Sequence, residues 1–381
     1  ILKGWKKENY IMDKIRVLQF PFHCNSGVQA YATNNWKHLD KSRFSFDFAV
    51  VRKTFNPSWE ESLVRSGAGI KKIFCSADKE PDLYKEQIRN MLRGNYDVVH
   101  LHTSFWKRLT IEEIAVECKI PKIIIHSHNS GLDIADDAER AATEKRHYIF
   151  RDQISPALGT DFCACSQLAA DWLFGPQISR SQIKILKNAI DVSKFTFNPK
   201  IRDEYREKMG LQNCFVIGHA GRFAYQKNHK FLLEVFQKVA AEIENARLLL
   251  IGEGPLAEEI KELAVRLKID NKVIFAGQRN DMAQLFMAMD VFCLPSRFEG
   301  LGIVMIEAQA AGLPCIASDS VPSEACISQK SVSLPLNFEK WIQQIVCFSK
   351  GYQRENMYAT VTSAGYNIDV QIKQIEELYL N

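Results

Sequence analysis

The chain has 381 residues, of which 46% are hydrophobic, and a formal net charge of +4. A chain well beyond ~250 residues usually divides into two or more domains. The small net charge does not favour a nucleic-acid binder. No apolar run approaches the ~18 residues that span a bilayer, and we expect no signal peptide. The composition predicts a globular protein rather than a disordered or membrane-spanning one.

Charge is distributed unevenly along the chain. Residues 1–130 carry 21 Lys+Arg against 14 Asp+Glu, and the remainder carries 28 against 31. The first half is therefore at +7 and the second at −3. This asymmetry fits an enzyme whose first half lies near an anionic surface or substrate, although chance variation explains it equally well.

Ten cysteines are spread along the sequence without a CxxC pair or a Cys/His ligand spacing. Several lie in apolar runs such as VFCLP and LPCIAS, where a free thiol acts as a small hydrophobic group. We expect a reducing, cytoplasmic location.

Short apolar runs alternate with helix-period stretches. Folding is expected to begin at Lys14, with the polar residues 1–11 lying upstream of the domain. The first series of predicted strands is KIRVLQF (14–20), FDFAVV (46–51), KKIFC (71–75), YDVVHLH (96–102) and KIIIHSH (122–128). After about residue 213 a second series follows: CFVIGHA, RLLLIGEG, KVIFAGQ, DVFCLPS and PCIASD. Continuous apolar strands separated by helices predict parallel sheets covered on both faces.

Two such series predict an α/β protein with two doubly wound, Rossmann-like domains. The join is expected near ILKNAIDVSKFTFNPK (185–200), where Asn, Asp and Pro interrupt the periodicity. We place the first domain at 14–190 and the second at 191–363. Residues 364–381 include an amphipathic helix that is expected to pack back on the first domain. Open parallel sheets bind ligands beyond the carboxyl ends of their strands, so the site is predicted in the cleft between the domains.

Two carboxylates, Glu299 and Glu307, stand among apolar neighbours in RFEGLGIVMIEAQAAGLPCIASD. Eight helical positions separate two groups by ~12 Å, which is too far for a shared proton. Gly300, Leu301 and Gly302 lie between them at a predicted helix N-terminus, which favours anions. Along the chain, a hydroxyl acceptor is followed by an anion-binding turn and a second hydroxyl acceptor. This order suits a nucleotide sugar. The spacing alone equally allows a cap-region acid and a satisfied buried carboxyl group.

A second segment, GHAGRFAYQKNHKFLLEVF (218–236), combines a strand end, a glycine-containing loop and a helix start. Arg222 and Lys227 in this loop could neutralise a diphosphate, although ordinary solvated charges are equally compatible with the pattern. IGEGPL (251–256) and AGQRND (276–281) close two further strand ends. From these we expect Gly252 and Gln278 to contact the same ligand.

Taken together, GRFAYQKN, LLLIGEGPL, VIFAGQRNDM and PSRFEGLGIVMIEAQAAGLPCIAS resemble the retaining glycosyltransferases of the GT-B fold, family 4 (group 1), and among them enzymes of capsular and exopolysaccharide synthesis. The resemblance covers about residues 14–381 and is strongest from 215 to 325. It implies that Glu299 contacts the donor sugar, that Glu307 contacts the ribose, and that Arg222 and Lys227 bind the diphosphate.

The first half carries weaker signals. The resemblance implies that the loop HCNSGVQAYATNNW approaches the diphosphate, and only Gly27 is carried over from the family's Gly pair. It also places His128 near the reacting sugar, and we expect His128 to act in catalysis and in acceptor binding. His102 is a candidate for acceptor contact. The HSH sequence at 126–128 could be part of a metal site, but no third ligand appears at a suitable spacing, and the family typically needs no metal. We therefore expect no metal and no cofactor.

The resemblance implies transfer of a sugar from a nucleoside diphosphate sugar, with UDP expected as the nucleotide, to a hydroxyl of a glycan or a lipid-linked sugar. The basic first half agrees with peripheral attachment at the inner face of the plasma membrane. Two alternatives remain open at this point: a nucleotide-sugar 2-epimerase of the same architecture and a non-catalytic partner subunit that binds sugar nucleotides. An NAD-dependent enzyme is disfavoured because no GxGxxG follows a predicted strand.

Overall fold

The computed structural model describes residues 13–22, 27–51 and 56–381. Residues 1–11, which we predicted to precede the domain, lie outside this part of the chain. Most of the loop before Gly27 also lies outside it. In the described part, the first half forms a parallel sheet of seven strands in the order β3-β2-β1-β4-β5-β6-β7. Its strands are β1 (Ile15–Phe22), β2 (Phe44–Val51), β3 (Gly69–Ile73), β4 (Val98–Thr103), β5 (Lys122–Ser127), β6 (Asp161–Ala164) and β7 (Ile183–Ile185).

Helices connect these strands and cover both faces of the first sheet. They are α1 (Gly27–His38), α2 (Pro57–Arg65), α3 (Pro81–Leu92), α4 (Thr110–Glu117), α5 (Asp137–Arg151) and α6 (Gln167–Leu173). Two of them begin with a proline in the first turn, where the missing N–H costs no hydrogen bond. Side chains on successive strand positions point to opposite faces, so Val17 packs under α1 while Leu18 packs on the other side.

The second half repeats the plan with six parallel strands in the order β10-β9-β8-β11-β12-β13. These are β8 (Phe215–Ala220), β9 (Ala246–Ile251), β10 (Val273–Phe275), β11 (Val291–Leu294), β12 (Cys315–Ser318) and β13 (Ser331–Leu334). The remaining helices are α7 (Val192–Phe195), α8 (Pro199–Lys208), α9 (His229–Glu242), α10 (Ala257–Arg266), α11 (Met282–Ala288), α12 (Ile303–Ala310), α13 (Phe338–Ser349), α14 (Tyr358–Ser363) and α15 (Ile368–Leu380).

This architecture confirms the predicted α/β class with two doubly wound sheets. All ten predicted strands are present, but β6, β7 and β13 were not predicted. Every position of the edge strands β7 and β13 is exposed or half-exposed, and β6 has only four residues. In each sheet the strand order reverses direction at one point, between β1 and β4 and between β8 and β11. Crevices for ligands open at such switch points.

The chain returns to its first half near the end of the sequence. Ile190 and Asn367 form an isolated parallel bridge, and α15 lies on the first sheet beside α1. Ile375 and Tyr379 are buried there in the same hydrophobic cluster as Val17. In addition, the Lys122 ammonium group donates a 2.6 Å hydrogen bond to Leu378 O at the end of α15. The second half therefore contributes a helix to the core of the first.

Two further observations bear on the composition. In the described ranges, no helix combines the length and apolar character needed to cross a bilayer. The described cysteines are all unpaired.

A largely buried carboxylate, that of Asp290, anchors α8 to the second sheet. Its Oδ1 atom accepts a 2.6 Å bond from Arg202, and its Oδ2 atom accepts bonds from Arg206 at 3.2 Å and from the Val216 N–H at 2.7 Å. The Asp290 side chain is only 15% exposed. Removing one partner of a largely buried ion pair destabilises the fold, because the remaining charge is left without compensation away from water.

We expect Asp290→Ala to lower the free energy of unfolding by about 3 kcal/mol, because it leaves two largely buried guanidinium groups without their carboxylate. Urea denaturation followed by circular dichroism measures this change. The control is Glu258→Ala, which removes an exposed partner of Lys261 and should cost no more than about 0.5 kcal/mol. Equal losses in the two variants would contradict the anchoring role.

Candidate active site

The candidate site lies where the carboxyl ends of strands from both halves meet. The segments after β5 and β6 touch the loop after β11. From the loop after β5, Ser130 Oγ donates a 2.6 Å hydrogen bond to Glu299 O, and from the segment after β6, Ser166 Oγ donates to Gly300 O. A Cβ atom on Gly300 would lie 2.0 Å from His128 O. Contact between the halves therefore requires glycine at position 300.

Glu299 is the most heavily bonded side chain of this region and is 5% exposed. Its Oε1 atom accepts bonds of 2.6 Å from both Lys227 and Ser296. Its Oε2 atom accepts a single, longer bond of 3.3 Å from Gln226. Because a carboxylate oxygen accepts about two bonds, Oε2 retains capacity for a ligand hydroxyl. The Lys227 ammonium likewise has three donors and retains capacity for a ligand anion.

Arg222 and Asp133 form an ion pair across the two halves. The other carboxylate oxygen of Asp133 accepts a 2.9 Å bond from the Gln226 N–H. Arg222 remains 56% exposed at its side chain, whereas Asp133 is 17% exposed. The predicted cations Arg222 and Lys227 are therefore on one loop, and each has a carboxylate partner in this structure.

The N-terminus of α12 lies directly after Glu299. Gly302 takes the N-cap position with a φ of +82°, which favours glycine, and it offers no side chain to cap the first turn. The Met305 N–H of that turn donates a 2.8 Å bond to Gly302 O, which leaves the N–H groups of Ile303 and Val304 available to an anion. Leu301, in contrast, buries its side chain in the core at 3% exposure, so only its backbone can serve a ligand.

The structure corrects the helical distance inferred for the two acids. The helix begins at Ile303, so Glu299 precedes it in a loop and only Glu307 lies on it. The estimate of ~12 Å assumed that both residues were helical. The order along the chain of acid, glycine-rich turn and acid nevertheless stands.

Glu307 is partly buried on α12 and lacks an ion-pair partner within the described ranges. Burial raises the pKa of its carboxyl group to about 7. A carboxylate in this state gains from any hydroxyl donor that replaces lost solvent.

The other predicted donor-site residues occupy different settings. Gly252 has a φ of +131° and passes so close to Gly221 O that a Cβ atom would lie 2.2 Å from it. This backbone contact holds the β9 end against the Arg222 loop. Gln278 is exposed at the β10 end. Gly27 is the first residue of α1, and a Cβ atom there would meet nothing within 4 Å.

The four histidines at the ends of β4 and β5 form one cluster. His102 Nδ1 lies 2.8 Å from His128 Nε2, and His102 Nε2 lies 2.7 Å from Gln19 Oε1. We predicted acceptor contact for His102, but both of its ring nitrogens are bonded within the protein. Desolvation lowers the pKa of His128 to about 3, so its imidazole is neutral at neutral pH.

The structure also supplies the third histidine that the sequence spacing did not reveal. Pairing of β4 with β5 brings nitrogen atoms of His100, His102 and His126 within 4.8 Å of one another. His100 Nε2 lies 3.1 Å from His126 Nδ1, and His100 Nδ1 lies 2.8 Å from Tyr379 Oη. Most of these nitrogens hydrogen-bond one another or neighbouring side chains, whereas His126 Nε2 has no partner among the described residues.

Several polar residues of the site were not predicted. They are Asp133, Ser130, Ser166, Gln226 and Ser296. Each acts by contacting a predicted residue across a loop or across the two halves. Such partners are set by tertiary structure, and single Ser, Asp or Gln residues in loops carry no distinguishing pattern.

Comparisons with known proteins agree with this geometry. Residues 214–348 match the family described as glycosyl transferases group 1. The chain is 30% identical over 369 residues to a Bacillus subtilis (strain 168) protein named as a glycosyltransferase, EpsF, and the alignment covers 93% of each chain. The chain belongs to the group 1 glycosyltransferases. The glycosyltransferase is also 25% identical over 304 residues to an Escherichia coli UDP-Gal:α-D-GlcNAc-diphosphoundecaprenol α-1,3-galactosyltransferase, covering 76% of each chain.

Solved structures share the fold of the glycosyltransferase. HepE of Anabaena, solved in complex with UDP, superposes with a TM-score of 0.75 at 16% identity. The match covers 96% of this chain and 99% of HepE. This likeness confirms the predicted GT-B architecture.

The raised pKa of Glu307 predicts a pH-dependent stability. Its pKa is about 7 in the folded protein against 4.5 for an ordinary glutamate, so the folded state holds the proton more tightly than the unfolded state. The resulting destabilisation is absent well below pH 4.5 and is complete above about pH 7. We expect Glu307→Gln to raise the free energy of unfolding by about 1–3 kcal/mol at pH 8 and by less than about 1 kcal/mol at pH 5.

Urea denaturation at the two pH values measures this difference, and other titrating groups cancel between variant and wild type. Glu204→Gln, at an exposed position of α8, is the matched control and should show no such trend. A Glu307→Gln effect that is equal at both pH values would contradict the assignment.

Proposed function

We propose that this glycosyltransferase moves a sugar from a UDP-sugar to a hydroxyl of a glycan or a lipid-linked sugar, with retention at the anomeric carbon. The observation that carries the proposal is the arrangement around Glu299. A carboxylate whose Oε2 atom can accept a further bond, a largely buried lysine and a helix N-terminus without a side-chain cap adjoin one another at the meeting of the two halves. The carboxylate is followed by the helix N-terminus, as the sugar of the donor is followed by the diphosphate.

The donor would lie along the segment from Glu299 to Glu307. Glu299 Oε2 accepts from a sugar hydroxyl, the turn at Gly300–Gly302 receives the diphosphate, and Glu307 accepts from the ribose hydroxyls. The raised pKa of Glu307 supports the last assignment, because ribose hydroxyls would supply the donors that its carboxylate lacks. UDP is favoured as the nucleotide by the complexes of HepE with UDP and with UDP-glucose.

Departure of the nucleotide places negative charge on the diphosphate. Lys227 is adjacent to the turn through Glu299, and Arg222 is on the same loop. Cations and helix N–H groups fixed where charge develops stabilise the transition state. Together they supply the role that a divalent cation has in other transferases, so we propose that no metal is required. For this role, Arg222 must leave its ion pair with Asp133 and bind a phosphate oxygen instead.

The proposed transfer balances without a co-reactant. The bond between the anomeric carbon and the phosphate oxygen breaks, and its electron pair stays on UDP. The acceptor oxygen bonds to the same face of the anomeric carbon, and its proton passes to the diphosphate. The backbone of His128, at the end of the first sheet, lies against Gly300, and we propose that its imidazole bonds a hydroxyl of the reacting sugar.

The acceptor is proposed to be a glycan or a lipid-linked sugar made for polysaccharide or glycolipid synthesis. The E. coli relative is named for an acceptor joined to diphosphoundecaprenol. The excess of Lys and Arg in residues 1–130 agrees with attachment of the first half to an anionic membrane surface, at about 1 kcal/mol per well-placed cation.

A panel of nucleotide sugars tests the proposal. We expect one UDP-sugar to raise the melting temperature and to release UDP slowly, with the rate unchanged by EDTA. Stabilisation without UDP release, even with added membrane extract, would identify a binding subunit instead. Appearance of an isomerised sugar nucleotide would identify a 2-epimerase, and a response to no nucleotide would refute the donor site.

Removing the two cations should affect turnover strongly. We expect Arg222→Ala combined with Lys227→Ala to lower kcat/KM about 10³-fold, because the leaving diphosphate loses its compensating charges. Glu299→Gln should lower kcat more than it weakens binding of free UDP, since free UDP has no sugar. Steady-state kinetics and UDP titration measure both effects. Lys261→Ala, on the exposed face of α10, is the control, and wild-type rates in the double variant would refute the diphosphate role.

A further inference from the structure

The buried amide of Gln19 is the starting point of two series of hydrogen bonds that run through the histidines. Each series is called a row below. Gln19 is 1% exposed on β1, paired in register with His100 of β4. Its Oε1 atom lies 2.7 Å from His102 Nε2, and its Nε2 atom lies 2.9 Å from Tyr379 Oη. Each side of the amide therefore begins a separate hydrogen-bonded row.

The first row determines the proton positions of two imidazoles. The amide oxygen only accepts, so His102 carries its proton on Nε2 and its Nδ1 is bare. The bare Nδ1 accepts from His128 Nε2–H at 2.8 Å. Since desolvation keeps the imidazole of His128 neutral, its remaining nitrogen, Nδ1, carries no proton. That Nδ1 atom is buried and lacks a partner among the described residues.

The second row has the opposite polarity. The amide N–H donates to Tyr379, whose hydroxyl then donates to His100 Nδ1 at 2.8 Å. His100 Nε2–H in turn donates to His126 Nδ1 at 3.1 Å. This leaves His126 with a proton on Nε2, which is also buried without a described partner. One amide has one donor side and one acceptor side, so the two rows must end in opposite kinds of group.

We infer that Gln19 is a positioning residue that acts through His102 to make His128 Nδ1 a hydrogen-bond acceptor for a hydroxyl of the bound substrate. The inference deepens the proposed function and rests on it for the identity of the substrate. His128 O lies against Gly300 in the turn that would receive the diphosphate, so the backbone of this histidine adjoins the proposed donor site. Sugar hydroxyls can donate to a bare imidazole nitrogen, whereas an N–H there would require them to accept.

The variant Gln19→Met tests this role, because it keeps the length of the side chain but removes the acceptor for His102. We expect kcat to fall about tenfold while KM for the donor changes less than about threefold. A fall of this size corresponds to the loss of one oriented hydrogen bond. Gln19→Glu should recover most of kcat. Burial favours its protonated form, which, like the amide, offers one donor and one acceptor.

Tyr379→Phe is the matched control. It removes the partner of the other side of the same amide and leaves the oxygen facing His102, so kcat should stay within about threefold of wild type. Circular dichroism and thermal melts of all variants separate folding defects from the effect sought. Equal losses of kcat in Gln19→Met and Tyr379→Phe would overturn the inference in favour of a general structural role.

A second readout needs no turnover. Ring ¹⁵N chemical shifts of labelled histidine, with His128→Gln for assignment, report which nitrogen carries the proton. We expect His128 protonated on Nε2 in the wild type and in Tyr379→Phe, with a mixture of tautomers in Gln19→Met. A wild-type proton on Nδ1, or an unchanged tautomer in Gln19→Met, would refute the inference. Expected shifts in a protein that transfers no sugar would refute only the proposed function.

Discussion

The contact between Gly300 and His128 O is the constraint on which the site depends. A single Cβ atom at position 300 would fall within 2.0 Å of that carbonyl oxygen and separate the two halves. With glycine there, serines from the first half reach the carbonyl groups of Glu299 and Gly300 in the second. The backbone of one turn thus holds Glu299 and Gly300 of the second half against the first half, next to His128.

Charge in the cleft is balanced within the protein. Lys227 faces Glu299, and Arg222 faces Asp133, so neither cation is buried without a carboxylate. An anion that entered this site would compete with the carboxylates that already pair with the two cations. The two pairs differ in exposure, since Lys227 is 14% exposed at its side chain and Arg222 is 56% exposed. Arg222 can therefore change partners with less rearrangement than Lys227.

Much of the fold followed from the sequence because buried parallel strands leave a strong pattern. Most of the inner strands of both sheets are largely apolar, and their two series indicated two doubly wound sheets. The missed strands β7 and β13 lie at sheet edges, where exposed positions break the run. Glu299, Lys227 and the turn at Gly300 were found because consecutive residues of short motifs hold them together.

The remaining site residues are joined by the fold rather than by sequence spacing. Asp133 meets Arg222 across 89 positions, and Gln19 meets Tyr379 across 360. Hydrophobic periodicity reports which face of an element is buried, but it says nothing of which polar groups meet there. The histidines of β4 and β5 were visible as strand ends, whereas their shared network with β1 and α15 was not.

The position of α15 also has a consequence for the order in which the molecule assembles. Gln19, His100 and His102 are synthesised early, yet the helix that covers their face of the sheet follows the whole second half. Until that helix docks, the amide and imidazole groups of this face lie open to water while the first sheet awaits part of its core. Contacts between such distant positions slow folding, because a long loop must close before they form. The two halves thus form separate sheets, yet the core of the first sheet is complete only after the last helix of the chain has docked.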